Sequence, residues 1–204
     1  MSAECPPVAY VVDDDESIRT LWRWLMESNG MAVRTFATAA EFIAAYRSGA
    51  EGCLVLDIRM PGMSGLELHE YLKREGIEIP VVFVTGHADV PTAVQAMKGG
   101  AVDFIQKPFG YRDALATIRR AFERDAEIRQ RRARQALIAA RVALLTGRER
   151  EVMELVVEGR QNKLIADLLA ISIKTVEVHR AKVMEKMGAA SVAELVQLMT
   201  QRTS

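Results

Sequence analysis

The chain has 204 residues, 50% hydrophobic and 26% charged, an ordinary globular composition with length for two modest domains. Lys+Arg and Asp+Glu each total 27, but residues 1–126 hold 18 acids against 13 bases and residues 127–204 hold 9 against 14, so an acidic front is joined to a basic back. An uncharged apolar run long enough to span a membrane, a secretory leader and a cysteine framework are all missing (only Cys5 and Cys53 occur), so a cytoplasmic protein without a membrane partner is expected.

In the front half, "VAYVV" (8–12), "MAVRTF" (31–36), "CLVL" (53–56), "VVFVT" (81–85) and "VDFI" (102–105) are predicted strands, rich in Val, Ile and aromatics. Segments of helical period separate them. Ile18, Leu21, Trp22, Leu25 and Met26 form one apolar face, and Leu66, Leu68, Tyr71 and Leu72 another. Trp22 and Trp24 read as packing or surface residues, and Cys53 as a buried free thiol. Five strands each followed by a helix imply a parallel, doubly wound sheet covered on both faces.

The segment after it, "LATIRRAFERDAEIRQRRARQALIAA", lacks Pro and Gly. It reads as a helix running from the first domain into a basic connector over 127–143, with a flexible linker as the alternative. The back half has no comparable strands. Residues 148–159, 162–170, 173–188 and 191–199 read as four short helices of a compact all-α domain at 144–204. Ser172 and Ser191 are expected N-caps, and Gly159 and Gly188 are expected helix-ending residues with positive φ.

The polar residues at the strand ends carry the chemistry. Asp13, Asp14 and Asp15 follow the first strand, Asp57 the third, Thr85 ends the fourth and Lys107 follows the fifth. Parallel strands put these ends on one edge, where open α/β sheets bind ligands. An acidic helix start explains Asp15 and Glu16, through the helix dipole, but explains Asp13 poorly. Carboxylates converging with a hydroxyl and an ammonium suit a hard cation such as Mg2+.

"VVDDDES", "LVLDIRMPGMSG", "VVFVTGHADV" and "GAVDFIQKPF" together make residues 8–126 resemble the receiver domain of two-component response regulators, so a receiver domain is expected at 1–126. The resemblance implies a flavodoxin-like fold and phosphoryl transfer from a sensor histidine kinase to Asp57. Asp14, Asp57 and the Arg59 carbonyl would then ligate Mg2+, with Asp13 acting through water. It further implies that Thr85 and Lys107 hold the phosphoryl group, that Phe104 repacks, that Lys107–Pro108 is cis, and that Val94 and Lys98 face a second copy in a phosphorylation-driven homodimer. Gly62 and Gly65 are expected to take backbone angles closed to other residues. His87 reads as a surface-loop residue and His69 as solvated surface.

"LTGRE", "NKLIA" and "TVEVH" in the back half resemble the LuxR-type helix-turn-helix, so the whole chain resembles the FixJ-like branch of the LuxR/NarL-type regulators. The helix at 173–187 would enter the major groove of promoter DNA. By helical period Val176, Val183 and Met187 face inward. Lys174, Thr175, Glu177, Val178, Ala181 and Lys182 face outward or flank that stripe. Lys163, Lys174, Arg180 and Lys182 are candidate phosphate contacts, and His179 is either structural or a phosphate contact. RNA polymerase is a further expected partner. An aspartate-nucleophile phosphatase would carry an acid two residues after Asp57; Arg59 stands there, so a regulator rather than an enzyme is expected. A phosphorylation-independent DNA binder is disfavoured by the intact set of Asp13, Asp14, Asp57, Thr85 and Lys107.

Overall fold

A computed structural model describes residues 6–47, 49–86 and 90–203. The chain divides into two compact units, 1–129 and 130–204. The first alternates β1 (Val8–Val12), α1 (Glu16–Glu27), β2 (Ala32–Phe36), α2 (Ala39–Ala45), β3 (Gly52–Asp57), α3 (Gly65–Arg74), β4 (Val81–Thr85), α4 (Val90–Lys98), β5 (Asp103–Gln106) and the first part of α5 (Tyr111–Ala143). All pairings are parallel, in the order β2-β1-β3-β4-β5. This is the flavodoxin-like doubly wound sheet expected from the sequence.

The sheet has two buried faces because alternate residues of each strand point to opposite sides. Tyr10, Val12, Leu54, Leu56, Val81 and Phe83 pack with Phe42, Leu68, Leu72 and Ala96. Ala9, Val11, Cys53, Val55, Val82 and Val84 pack with Trp22, Leu25 and Met26 of α1 and with Ala114, Ile118 and Ala121 of α5. Each large side chain fully removed from water contributes about 1.5–3 kcal/mol, so both layers hold the strand ends in register. Trp22 is buried, whereas Trp24 is 55% exposed and meets the Tyr111 ring edge-on. Cys53 is buried and free, and desolvation with the nearby Asp125 charge pushes its thiol pKa up.

His69 is a correction to the sequence reading. It is buried on α3, its ring packed edge-on against Phe83 of β4. Burial, with help from Lys73, lowers its pKa, so it is a neutral packing residue rather than solvated surface. His87 lies outside the described residues.

Helix α5 continues unbroken for 33 residues. Where it leaves the sheet, Asp125 accepts from the Gly52 amide and from Arg129, which also pairs with Glu51. Ile138 and Val142, in the segment expected to be a connector, are buried in the core of the second unit.

That unit adds α6 (Gly147–Val157), α7 (Asn162–Leu169), α8 (Ile173–Met187) and α9 (Val192–Thr203). Val152, Met153, Ile165, Val176, Val183, Met187 and Leu195 form its centre, in agreement with the inward stripe read on α8. Helix α6 starts in a capping box between Thr146 and Glu149. Ser172 caps α8, and the Ser191 hydroxyl accepts from the Glu194 amide at the start of α9. Gly159 (φ 80°) and Gly188 (φ 64°) take the expected left-handed angles.

Candidate functional site: the acidic sheet edge and the helix-turn-helix

Strand register builds the first site. Val12 pairs with Leu56, so the next residues, Asp13 and Asp57, come level at the β1/β3 switch point. Asp57 pairs with Val84, which puts Thr85 one step further, and Thr85 pairs with Gln106, immediately before Lys107. The Lys107 amide donates to the Thr85 carbonyl at 2.8 Å, and Lys107–Pro108 is cis.

The Lys107 ammonium closes the site by donating to Asp13 Oδ2 at 2.6 Å and Asp57 Oδ2 at 2.7 Å. Asp13 is 2% exposed, Asp57 8% and Thr85 1%. Burial raises the Asp13 pKa despite the opposing pull of Lys107, and the nearby Asp57 charge adds to the rise. Burial acts to lower the Lys107 pKa, but its bonds to both carboxylates outweigh this and hold it above the ordinary lysine range. One oxygen from each of Asp13, Asp14 and Asp57 lies within 4.8 Å of the others.

The loop carrying these groups is locally determined. Asp15 caps α1 by accepting from the Ser17 amide and hydroxyl, and its own amide donates to Asp13 Oδ1. Asp15 is thus the helix cap, as the acidic helix start implied, and Asp13 and Asp14 precede it. After Asp57, the Arg59 amide donates to Asp57 Oδ1 at 3.1 Å. Gly62 has φ 77°, as expected. Gly65 does not have a positive φ; space is its reason, since a Cβ there would meet the Asp57 carbonyl oxygen at 2.2 Å.

The remaining sequence candidates of this unit fall on β5, just after it, and on α4. Phe104 is half-buried against the core face of α2 and α3, Pro108 is exposed, and Val94 and Lys98 stand exposed on α4. Sequence reasoning passed over Arg19 on α1, whose guanidinium donates to the carbonyls of Asp13 and Asp14. A basic residue one helical turn after an acidic cap was the available signal.

The second site is formed by α7, a tight turn and α8. Ala170 ends α7 with φ 52°, a left-handed angle, and Ser172 then starts α8. Lys163, Lys174, Glu177, Val178, Ala181 and Lys182 are exposed, and Val178 is 49% exposed. Thr175 is half-buried, its hydroxyl at 2.8 Å from that of Ser172, so it is engaged in the cap. Arg180 is half-buried and donates to Asn162 Oδ1 at 2.6 Å, tying α8 to α7. His179 is half-buried, and its buried Nδ1 has no hydrogen-bond partner among the described residues. Elsewhere in this unit, Lys186 donates to Glu149 Oε2 at 2.6 Å. That bond, with the Thr146 amide, draws the Glu149 pKa down to about 2.

Comparison with known proteins places this architecture. Residues 9–119 match the response regulator receiver domain, and residues 143–199 match the bacterial regulatory proteins of the luxR family. The transcriptional regulatory protein FixJ of Azorhizobium caulinodans is 46% identical over 189 residues, covering 93% of this chain and 90% of that protein. The C4-dicarboxylate transport transcriptional regulatory protein DctR of Rhodobacter capsulatus is 45% identical over 195 residues, covering 93% and 97%. A low-resolution structure of the response regulator StyR aligns with a TM-score of 0.83 at 44% identity, covering 97% of this chain and all of that one. Full-length FixJ from B. japonicum aligns with a TM-score of 0.59 at 44% identity, covering 97% of each chain.

A phosphoacceptor-type α/β unit followed by a DNA-binding helical unit is the class that fold and sites define. The chain belongs to the response regulators that join a receiver domain to a LuxR-type DNA-binding domain, a family of transcription regulators. No helix among the described residues is long and apolar enough to cross a membrane.

Proposed function

We propose that Asp57 accepts a phosphoryl group from a sensor histidine kinase, and that this drives receiver pairing and promoter binding by the second domain. The observation that carries the reading is the Lys107 ammonium bridging Asp13 and Asp57 at 2.6 and 2.7 Å on the ligand-binding edge of the sheet.

The donor set fits a magnesium ion. It offers three hard carboxylate oxygens within 4.8 Å, and the Asp14 carboxylate has no hydrogen-bond partner among the described residues. Asp13, Asp14, Asp57 and the Arg59 carbonyl would hold it. When bound, the ion offsets charge on the transferring phosphoryl oxygens.

The chain's own residues do the rest. An Asp57 carboxylate oxygen forms the new O–P bond; the P–N bond of the phosphohistidine breaks, and its electron pair leaves with the imidazole. Lys107 and the Thr85 hydroxyl face the charge that develops on the transferred group. The new phosphoryl adds up to about one negative charge beside Asp13, so Lys107 must redistribute its bonds. Thr85 and the half-buried Phe104 are the residues that adjust, and the exposed Val94 and Lys98 of α4 form part of the pairing face.

In the second unit, Glu177, Val178 and Ala181 of α8 read base edges. Lys163, Lys174 and Lys182 supply phosphate contacts, with the remaining donors of Arg180 and the flank at Thr175 completing the surface. His179 takes the structural alternative. RNA polymerase and the cytoplasm follow from this role, and the chain acts as a stoichiometric acceptor, not an enzyme. The test is labelling of the full chain with acetyl phosphate and Mg2+. The account expects one phosphoryl group per chain, lost in Asp57→Asn; unchanged labelling of that variant would overturn it.

A further inference from the structure

Beside the acid-rich edge stands a second cation that the phosphoryl chemistry does not employ. Arg19 lies on the first turn of α1, and one terminal guanidinium nitrogen donates to the carbonyl of Asp13 at 2.7 Å and to that of Asp14 at 2.8 Å. The side chain is half-buried; its bond to the Asp13 carbonyl is partly shielded from water and its bond to the Asp14 carbonyl is exposed. The rest of the loop is held as well. The Asp13 amide donates to the Phe36 carbonyl, the Asp15 amide donates to Asp13 Oδ1, and the Arg19 amide closes the first helical bond onto the Asp15 carbonyl.

The two acids respond differently to that scaffold. Asp13 has its own side-chain anchors, Lys107 and the Asp15 amide. Asp14 is exposed, and its carboxylate has no hydrogen bond among the described residues. Its direction is therefore set by the peptide planes on either side of its Cα, and Arg19 grips the carbonyls of both.

We infer that Arg19 is a positioning residue for the cation site: by clamping the Asp13 and Asp14 carbonyls it aims the Asp14 carboxylate at the acceptor edge. The inference rests on the magnesium reading of that edge. It has a sign that simple charge does not share. Removing a positive group near a cation site should tighten cation binding by Coulomb's law. Removing a clamp behind a ligand should loosen it, typically by tenfold or more.

The test is Mn2+ binding to the full, unphosphorylated chain, followed by the electron paramagnetic resonance of free Mn2+ with Mg2+ as competitor. Arg19→Met keeps the aliphatic stem, and Arg19→Lys keeps the charge without the fork. Asp14→Asn is the site control, and circular dichroism at the assay temperature verifies folding. Arg19→Met is expected to weaken Mn2+ binding about tenfold, with Arg19→Lys recovering part of the loss. Acetyl-phosphate labelling at saturating Mg2+ should approach the wild-type rate, so that the defect appears in the metal dependence. Equal or tighter Mn2+ binding by Arg19→Met overturns the positioning role while leaving the site intact. Absence of Mn2+ binding in the wild-type chain overturns the site reading itself, and the inference with it.

Discussion

Lys107 is the residue whose removal bears most on the acidic edge. Its ammonium makes two charge-assisted hydrogen bonds to carboxylates whose side chains are 2% and 11% exposed, and is itself 16% exposed. Each such bond has a net worth of about 1.5–3 kcal/mol. Without the lysine, Asp13 and Asp57 face each other with oxygens within 4.8 Å, and at an effective dielectric of about 20 that repulsion is roughly 3.5 kcal/mol. Breaking a buried ion pair by removing one partner costs about 3–5 kcal/mol. Partial exposure and water entry reduce this, so Lys107→Met is expected to lower receiver stability by about 3 kcal/mol in EDTA at neutral pH. The assay is urea unfolding followed by tryptophan fluorescence, with and without Mg2+. Magnesium should restore part of the loss, since a cation again separates the acids, and Asp13→Asn in the same chain should shrink the lysine effect. In the wild type the raised Lys107 pKa means that its stabilisation is full below the ordinary lysine range and fades as pH climbs through the raised value. A Lys107→Met change under about 1 kcal/mol, or one equal in size on the Asp13→Asn background, would refute the bridging argument.

Ala170→Gly should stabilise the second unit by about 0.5–1 kcal/mol in thermal unfolding, because the left-handed φ of 52° strains alanine but not glycine. Glu149, held near pKa 2 by Lys186 and the Thr146 amide, supports folding above the usual glutamate range; that support should drain away as pH falls from about 4.3 towards 2, and Glu149→Gln should flatten this part of the stability profile. Gly65→Ala should destabilise the receiver by about 1–3 kcal/mol and slow acetyl-phosphate labelling, since the added Cβ meets the Asp57 carbonyl oxygen at 2.2 Å.

Patterns repeated along the chain were legible. Alternation of Ala9 and Val11 against Tyr10 and Val12 specifies a strand buried on both faces, and five such strands leave few topologies. Once the strands are parallel, Asp13, Asp57, Thr85 and Lys107 share an edge without further information. The inward stripe of α8 was equally plain, since Val176, Val183 and Met187 recur at helical spacing.

What was hidden depends on contacts between residues distant in sequence or on single torsions. His69 looked polar and solvated; the aromatic surface of Phe83 that buries it belongs to another element. Gly65 looked like a glycine needed for its angle, but the approach of the Asp57 carbonyl is what excludes a side chain. Arg19 binds main-chain carbonyls, whose approach residue identity does not specify; its place one helical turn after an acidic cap was the one trace. Ala170 occupies a left-handed angle that residue type alone argues against.

The most direct measurement is DNA binding by the full chain, selected from genomic fragments and then quantified at fixed salt, with acetyl phosphate and Mg2+ either present or absent. The account expects phosphorylation to tighten binding of the selected fragments by the wild-type chain and to leave Asp57→Asn unresponsive. Equal affinity of both proteins under all conditions, or an undiminished response in Asp57→Asn, would contradict it.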